Sequence, residues 1–428
     1  MTTVPNSVPD EMRCDHLILL VGGNPLPNAV SGHLLVKPGG RITLIYSEGS
    51  WEVARRLADW LRKRAQITVD EVDKRMCVRE QEPVSIYKRV QHVLDRGGSD
   101  EVGLNYTGGT KTMAVHAYRA VEVWAKVNNR KAICSYLDAR AHRMILSFLP
   151  SGDEDEIYVG DKLKLNLDQM LDLHNWQKKS QLCTEPILPK AARAIANSYT
   201  ENRKDGVQPY SCWKKQELYY KCRRNGQWKC KEELQQIKLA WPNGLLSAVA
   251  DALKEETGQV DQEALDIGVV IKKELFDEPI DFCKWLDGNW LEDRVLDALL
   301  KLPPELKPQS GQAFRGVKVE TVGGDFELDV LAILGYQLFG LTCGTKIGDG
   351  AKKELKLKLF EGLLRTRQIG GDQARTALVC LYEDPDGLQA EARQQIDPDG
   401  QVRVFGLKHL KDLENELAHW IRSQRKQP

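Results

Sequence analysis

The segment 105–121, NYTGGTKTMAVHAYRAV, decides how the N-terminal half is read. It follows a short apolar run, so a strand ends near Leu104 and the chain turns at Gly108 and Gly109. Without Cβ atoms, those two residues let the backbone approach a ligand closely. Thr110 and Lys111 then open a helix whose first amides point outward. Free amides at a helix N-terminus, beside a hydroxyl and an ammonium, favour a phosphate. The turn is not a Walker loop, because the GxxxxGK[ST] spacing is missing.

Working outward, the same alternation recurs. HLILLVGG (16–23) is an apolar run closed by glycines, the mark of a buried parallel strand, and GRITLIYS (40–47) is a second. Between them GGNPLPN (22–28) forms a stiff, proline-bearing loop. The segment 50–65 has Val53, Leu57, Trp60 and Leu61 at helical spacing, with Ser47 or Ser50 as its cap. KAICSYLDA (131–139) and RMILSFLP (143–150) read as a closing hairpin, and SGDEDE (151–156) as a charged turn. Strands separated by helices imply a mainly parallel, doubly wound sheet, with ligands at the carboxyl ends of its strands. The loops at Asn24, at Ser47 and at 107–111 fall on one such edge.

These residues, GGNPLPN after the first strand and NYTGGTKTMAVHAYRA, resemble the CARF sensor domains of type III CRISPR defence. The resemblance implies a Rossmann-like homodimer that binds a cyclic oligoadenylate, usually cyclic tetra-adenylate, across its two-fold axis. It makes Asn24, Ser47, Thr107, Gly108, Gly109, Thr110 and Lys111 the candidate ligand contacts. The alternative is a mononucleotide or dinucleotide site. Against it, the first strand lacks GxGxxG and no acidic residue closes the second.

Residues 156–280 read as a helical connector: NLDQMLDLHNW, LPKAARAIANSY, CKEELQQIKLA and LLSAVADALKEE all carry helical pieces. Within it, the basic and aromatic stretch 210–234 is expected to turn its lysines to solvent, with nucleic-acid contact or a winged-helix-like module as alternatives. Residues 281–428 form a second α/β unit. Gly288 and Asn289 introduce an amphipathic helix, 326–346 makes two strands around Gly335, and 355–371 is a helix closed by Gly370 and Gly371.

Metal-dependent phosphodiester cleavage needs carboxylates for a divalent cation and a group, commonly lysine, to orient or deprotonate water. Glu292 lies on the first of these helices. Asp329 lies in the apolar run FELDVLAIL, where an unpaired carboxylate is costly, and Glu327 and Asp325 share its face by the period of two. GNWLEDRV, FELDV, LTCGTK and KLFEGLLRTRQIGGD resemble the restriction-endonuclease-like PD-(D/E)xK superfamily, in particular the nuclease domains fused to CARF sensors. The resemblance covers about 285–385. It implies Glu292 and Asp329 as ligands of Mg²⁺ or Mn²⁺, and an acid and a lysine at 342 and 344. Those positions hold Thr342 and Gly344. Two lysines are candidates to replace the missing one: Lys346, two residues on, and Lys358 on the following helix, with Glu361 one turn later.

Lys plus Arg and Asp plus Glu both number 61 in the 428 residues, so net charge points to no polyanion and any nucleic-acid site must be local. Ten cysteines without a CxxC pair suggest reduced thiols in the cytoplasm; zinc at Cys212, Cys222 and Cys230 lacks a fourth ligand. No leader-like start or membrane-length apolar run is present. The expected protein is an α/β chain in three parts, a sensor over 1–155, a connector over 156–280 and a nuclease over 281–428. It would cleave RNA and/or DNA, single-stranded, when the ring binds. The alternative is a non-catalytic regulator with the same sensor and a degenerate nuclease fold.

Overall fold

The structure is a computed structural model that describes residues 8–64, 67–97, 101–179, 181–201, 208–259, 264–308, 311–321, 323–348, 350–397 and 400–425. Residues 1–7 at the start, residue 65 at the end of the expected helix 50–65, and residues 426–428 lie outside these.

The first sheet contains β1 (Cys14–Val21), β2 (Val36–Tyr46), β3 (Thr68–Val69), β4 (Val102–Asn105), β5 (Ala132–Asp138), β6 (Arg143–Leu149) and β7 (Asp153–Tyr158). Their order is β3-β2-β1-β4-β5-β6-β7. The first five are parallel, and β6 and β7 run antiparallel. Chain order reverses between β1 and β4, so the crevice at their carboxyl ends is the topological switch point where ligands of doubly wound sheets sit. Helices Leu26–Leu35 and Lys111–Asn128 leave from those two ends.

The segment 151–156 is not merely a charged turn: its acidic residues enter edge strand β7. Four successive exposed side chains there carry no apolar alternation, so the period of two is invisible, yet the backbone pairs with β6. Charges on an edge strand also discourage pairing with another chain.

The connector contributes β8 (Gln177–Lys178), a small hairpin β9 (Arg223–Arg224) and β10 (Gln227–Trp228), and a pair β11 (Lys238–Ala240) and β12 (Ala264–Asp266) around helix Ser247–Thr257. The expected helix in CKEELQQIKLA is therefore short, Lys231–Leu234, and its end is strand.

The second sheet holds β13 (Ala313–Glu320), β14 (Phe326–Leu334), β15 (Gln337–Gly344), β16 (Arg375–Cys380) and β17 (Val402–Phe405). Its order is β17-β16-β15-β14-β13-β8, antiparallel through β15 and parallel from β15 to β17. The helix bearing Glu292 does not begin at Gly288. It begins at Pro279–Lys284 and runs through a π-helical turn, Trp285–Asn289, into Trp290–Leu300. Helix Ala351–Gly370 lies on the sheet, with Leu355, Leu359 and Leu363 in one core with Leu378, Cys380 and Val404.

A single apolar cluster joins the two sheets. It runs from Leu17, Leu19 and Val21 of β1 through Leu163–Leu173 to Leu328, Leu331 and Tyr336. At this seam Leu165 N donates to the Gly335 carbonyl at 2.9 Å, beside the turn that joins β14 to β15.

Candidate functional site

At the switch point the two glycine loops touch. A Cβ on Gly108 would lie 2.3 Å from the Leu20 carbonyl oxygen and 2.7 Å from Asn28 Oδ1, so only glycine permits this approach. Gly109, at φ +76°, completes the turn. Thr110 Oγ1 accepts from Met113 N at 3.2 Å and caps the helix that Lys111 begins, and the Lys111 side chain is exposed. Thr107 Oγ1 accepts from Leu137 N at 2.7 Å, which ties the loop to β5 and leaves the hydroxyl hydrogen free to donate. Asn24 Oδ1 accepts from Leu26 N at 3.0 Å. Ser47 is buried and turned toward Ser50, 3.4 Å between hydroxyl oxygens. Asn24, Thr107, Gly108, Gly109, Thr110 and Lys111 thus occupy the adjoining ends of β1 and β4, with Ser47 at the neighbouring end of β2.

Two buried asparagines shape this edge and were not singled out from the sequence. Asn28 Nδ2 donates to the Leu20 carbonyl at 2.9 Å, and Asn105 Nδ2 donates to Ser135 Oγ at 3.0 Å. Their polarity inside apolar surroundings was the available signal. Tyr106 also stacks on Tyr136, with ring centroids 5.9 Å apart, beside the glycine turn. Asn24 reaches further still: a Cβ at Gly371 would lie 1.8 Å from its Nδ2. The loop after β1 therefore abuts the end of the Ala351–Gly370 helix.

That helix carries Lys358. Its ammonium lies 3.0 Å from Asp329 Oδ2 and donates to the Cys343 carbonyl at 2.5 Å. The same Asp329 oxygen accepts from Thr342 Oγ1 at 2.9 Å and Cys343 N at 2.7 Å. Burial pulls the Lys358 ammonium down, and the charge and hydrogen bond of Asp329, with Cys343 and Glu292, together outweigh it and leave it above its ordinary value. Lys346 does not reach Asp329; it pairs with Glu354. Glu361 is exposed and lines, with Asp329, Glu327 and Lys358, a cavity of about 200 Å³.

The packing explains why no lysine stands at 344. The face of β15 bearing Gly340, Thr342 and Gly344 is covered by the helix. A Cβ at Gly340 would lie 2.1 Å from Thr366 Oγ1, one at Gly362 would lie 3.3 Å from Thr342 Cγ2, and one at Gly344 would lie 2.2 Å from Leu355 Cδ2. Small residues on the strand let the helix come close, and closeness brings Lys358 over Asp329, whose strand partner is Thr342.

Glu292 completes the cluster. Burial first, and then the charge of Asp329, push its carboxyl up to about 8. Two carboxylates that repel each other in a desolvated site are the condition a divalent cation relieves, and oxygen donors suit Mg²⁺ or Mn²⁺. Glu292 and Asp329 therefore fit a bound cation, although among the described residues no three His, Cys, Asp or Glu side chains gather into a metal-binding group. The neighbouring Asp293 is structural: it accepts from Ile187 N, Leu188 N and Trp285 Nε1 and pairs with Arg315 at 2.9 Å.

The connector stretch 210–234 does not turn all its lysines outward. Lys214 is buried, and its ammonium bonds the Asp287 carbonyl at 2.6 Å and carboxylate at 3.0 Å. Tyr219 donates to the same carboxylate, and Arg223, held between the rings of Tyr219 and Trp228, donates at 2.8 Å. The π-helical turn Lys214–Tyr219 thus clasps the π-helical turn that precedes Glu292. Sequence reading missed this because the partners are about 70 positions apart and neither turn has a periodic signature.

No protein-family model matches the chain, and a search of curated proteins by sequence finds no match. Solved structures do. The crystal structure of protein VC1899 from Vibrio cholerae has 16% identity and a TM-score of 0.67, over 96% of this chain and 98% of that one. The structure of Can2 from Sulfobacillus thermosulfidooxidans in complex with cyclic tetra-adenylate has 17% identity and a TM-score of 0.61, over 95% and 99%. Among the described residues no helix is long and apolar enough to cross a membrane. The fold these structures share with the chain is α/β: a mainly parallel, doubly wound sheet, a largely helical middle region and a second, mixed sheet.

Proposed function

We propose that this protein is a cyclic-oligoadenylate-activated, metal-dependent nuclease of CRISPR antiviral defence, cutting single-stranded RNA and/or DNA in the cytoplasm. The observation that carries the reading is the Lys358 ammonium 3.0 Å from Asp329, beside a second half-buried carboxylate, Glu292. It supplies from a helix the lysine that Gly344 cannot. The fold shared with a protein whose structure holds cyclic tetra-adenylate supports the sensor half.

In this reading Glu292 and Asp329 hold Mg²⁺ or Mn²⁺, which when bound supplies Lewis-acid charge to the phosphodiester. Lys358, held as an ammonium beside Asp329, orients the attacking water and offsets charge developing on the phosphate, with Glu361 beside it and Lys346 in reserve. Asn24, Ser47 and 107–111 from each copy of a homodimer hold one cyclic tetra-adenylate across the two-fold axis, where two identical phosphate-binding turns suit a symmetric ring. Residues 1–155, 156–280 and 281–428 act as sensor, connector and nuclease. The ring activates only by binding the active arrangement more tightly than the inactive one. The test is incubation with labelled single- and double-stranded RNA and DNA, with and without cyclic tetra-adenylate and Mn²⁺. Degradation that requires both supports the reading, and none under any condition contradicts it.

One observation favours the second reading, a non-catalytic regulator. The Lys358 ammonium already bonds Asp329 and the Cys343 carbonyl, two oxygens that a cation would otherwise use. Oligonucleotide binding without cleavage would establish that reading instead.

A further inference from the structure

We infer that the connector turn Lys214–Tyr219 and its flank form the wall that holds the nucleic-acid backbone, and that the strand is gripped on this side of Glu292 and not on the other. This rests on the nuclease reading above.

The cavity between connector and second sheet measures about 460 Å³. On one wall stand Ser211, Lys214, Lys215 and Tyr219, and facing them Glu292, Lys346 and Lys358. Three of the four lysines have carboxylate partners: Lys214 with Asp287, Lys346 with Glu354 and Lys358 with Asp329. Lys215 is exposed and makes no ion pair among the described residues. It is therefore the cation left to meet a phosphate. Its position is fixed by its neighbour, because buried Lys214 is anchored on the turn that leads into Glu292. An exposed cation on an anchored turn, lining one cavity with Glu292 and Lys358, suits a phosphodiester chain entering toward the cut site.

The opposite side repels such a chain. A second cavity of about 640 Å³ lies beyond Asn289, which borders both. It is lined by Glu185, Asp277, Asp281 and Glu327, against Arg315, already paired with Asp293, and exposed Lys318. Acidic groups outnumber basic ones there, so a polyanion gains nothing by lying along it.

The experiment measures anisotropy of a fluorescein-labelled single-stranded oligonucleotide of about 20 nucleotides, in EDTA to prevent cleavage and with cyclic tetra-adenylate present. Lys215→Glu is compared with Lys318→Glu; both side chains are exposed, so folding is not at stake. We expect Lys215→Glu to weaken binding roughly tenfold and to flatten the salt slope by about one, while Lys318→Glu stays within about twofold of wild type. In Mn²⁺, Lys215→Glu should raise KM and leave the saturated single-turnover rate unchanged. Wild-type affinity in Lys215→Glu, or an equal loss in Lys318→Glu, overturns the one-sided wall and leaves the nuclease reading standing. If wild type binds no oligonucleotide while calorimetry shows it binding cyclic tetra-adenylate, both fall together.

Discussion

A carboxylate in the middle of FELDVLAIL must be compensated, and Asp329 is: three donors meet one of its oxygens, the hydroxyl of Thr342, the amide of Cys343 and the ammonium of Lys358. Glu292 has no such set, and burial beside Asp329 leaves it as the group most in need of a cation. Removing either carboxylate should therefore remove activity rather than fold. Asp329→Ala and Glu292→Ala should each abolish cleavage while activator affinity by calorimetry stays as in wild type; cleavage retained by Asp329→Ala would mean the hairpin has been misread. At the other site, Lys111 is the exposed cation at a helix start capped by Thr110. Lys111→Ala should weaken cyclic tetra-adenylate binding by about tenfold, the scale of one charge-assisted contact, and equal affinities would remove it from the site. The positions of Asp329 in a strand and of Lys111 at a helix start were legible because each breaks a local pattern, a charge in an apolar strand or a cation after a glycine turn. Asp287 and Lys214 break none, and their meeting depends on tertiary contact alone.

The placement of Lys358 belongs to the element scale. Helical spacing put 355–371 on a helix, and the run around Gly335 read correctly as two strands. What the one-dimensional pattern did not contain was the distance between them. Gly340, Thr342 and Gly344 are small because the helix lies on them, and Leu355 fills the volume that a side chain at 344 would need. Restoring the expected lysine should thus fail. Gly344→Lys in a Lys358→Ala background should recover no activity and should lower stability by about 1–3 kcal/mol or more through overpacking, read as a lower melting temperature. Recovered cleavage would show that helix and strand can separate. The same scale explains the missed strand β7, whose acidic residues face solvent on an edge and carry no alternation.

At the scale of the whole molecule, the two sheets share an apolar cluster, and its margins bury histidines in neutral form. His16 sits in β1, where burial and then the charge of Arg41 lower its pKa to about 4. His142 packs against Tyr336 across the seam, and burial, with the charges of Arg375 and Arg425, lowers it to about 3. Each takes up a proton more readily when unfolded, so its contribution is complete above about pH 6.5 and is lost as pH falls toward 4 and 3. The slope is up to about 1.4 kcal/mol per pH unit for each. Glu292, raised to about 8, acts in the opposite sense over this range, so the test is a difference: between pH 7.5 and 5 chemical denaturation should show wild type losing stability relative to His16→Asn with His142→Asn, and a constant difference would mean neither is buried neutral.

Through the same seam the loop holding Asn24 meets the end of the helix holding Lys358 at Gly371, so the proposed ligand site and the proposed cleavage site are joined by one helix. The most direct test of the account is the rate at which labelled single-stranded substrate is cut in Mn²⁺, with and without cyclic tetra-adenylate, by wild type, Lys358→Ala and Lys346→Ala. The expected result is activator-dependent cleavage by wild type, a rate at least ~100-fold lower for Lys358→Ala, the scale of losing one preorganised charged donor, and a much smaller loss for Lys346→Ala, whose ammonium is engaged with Glu354. Cleavage by Lys358→Ala at the wild-type rate would contradict it.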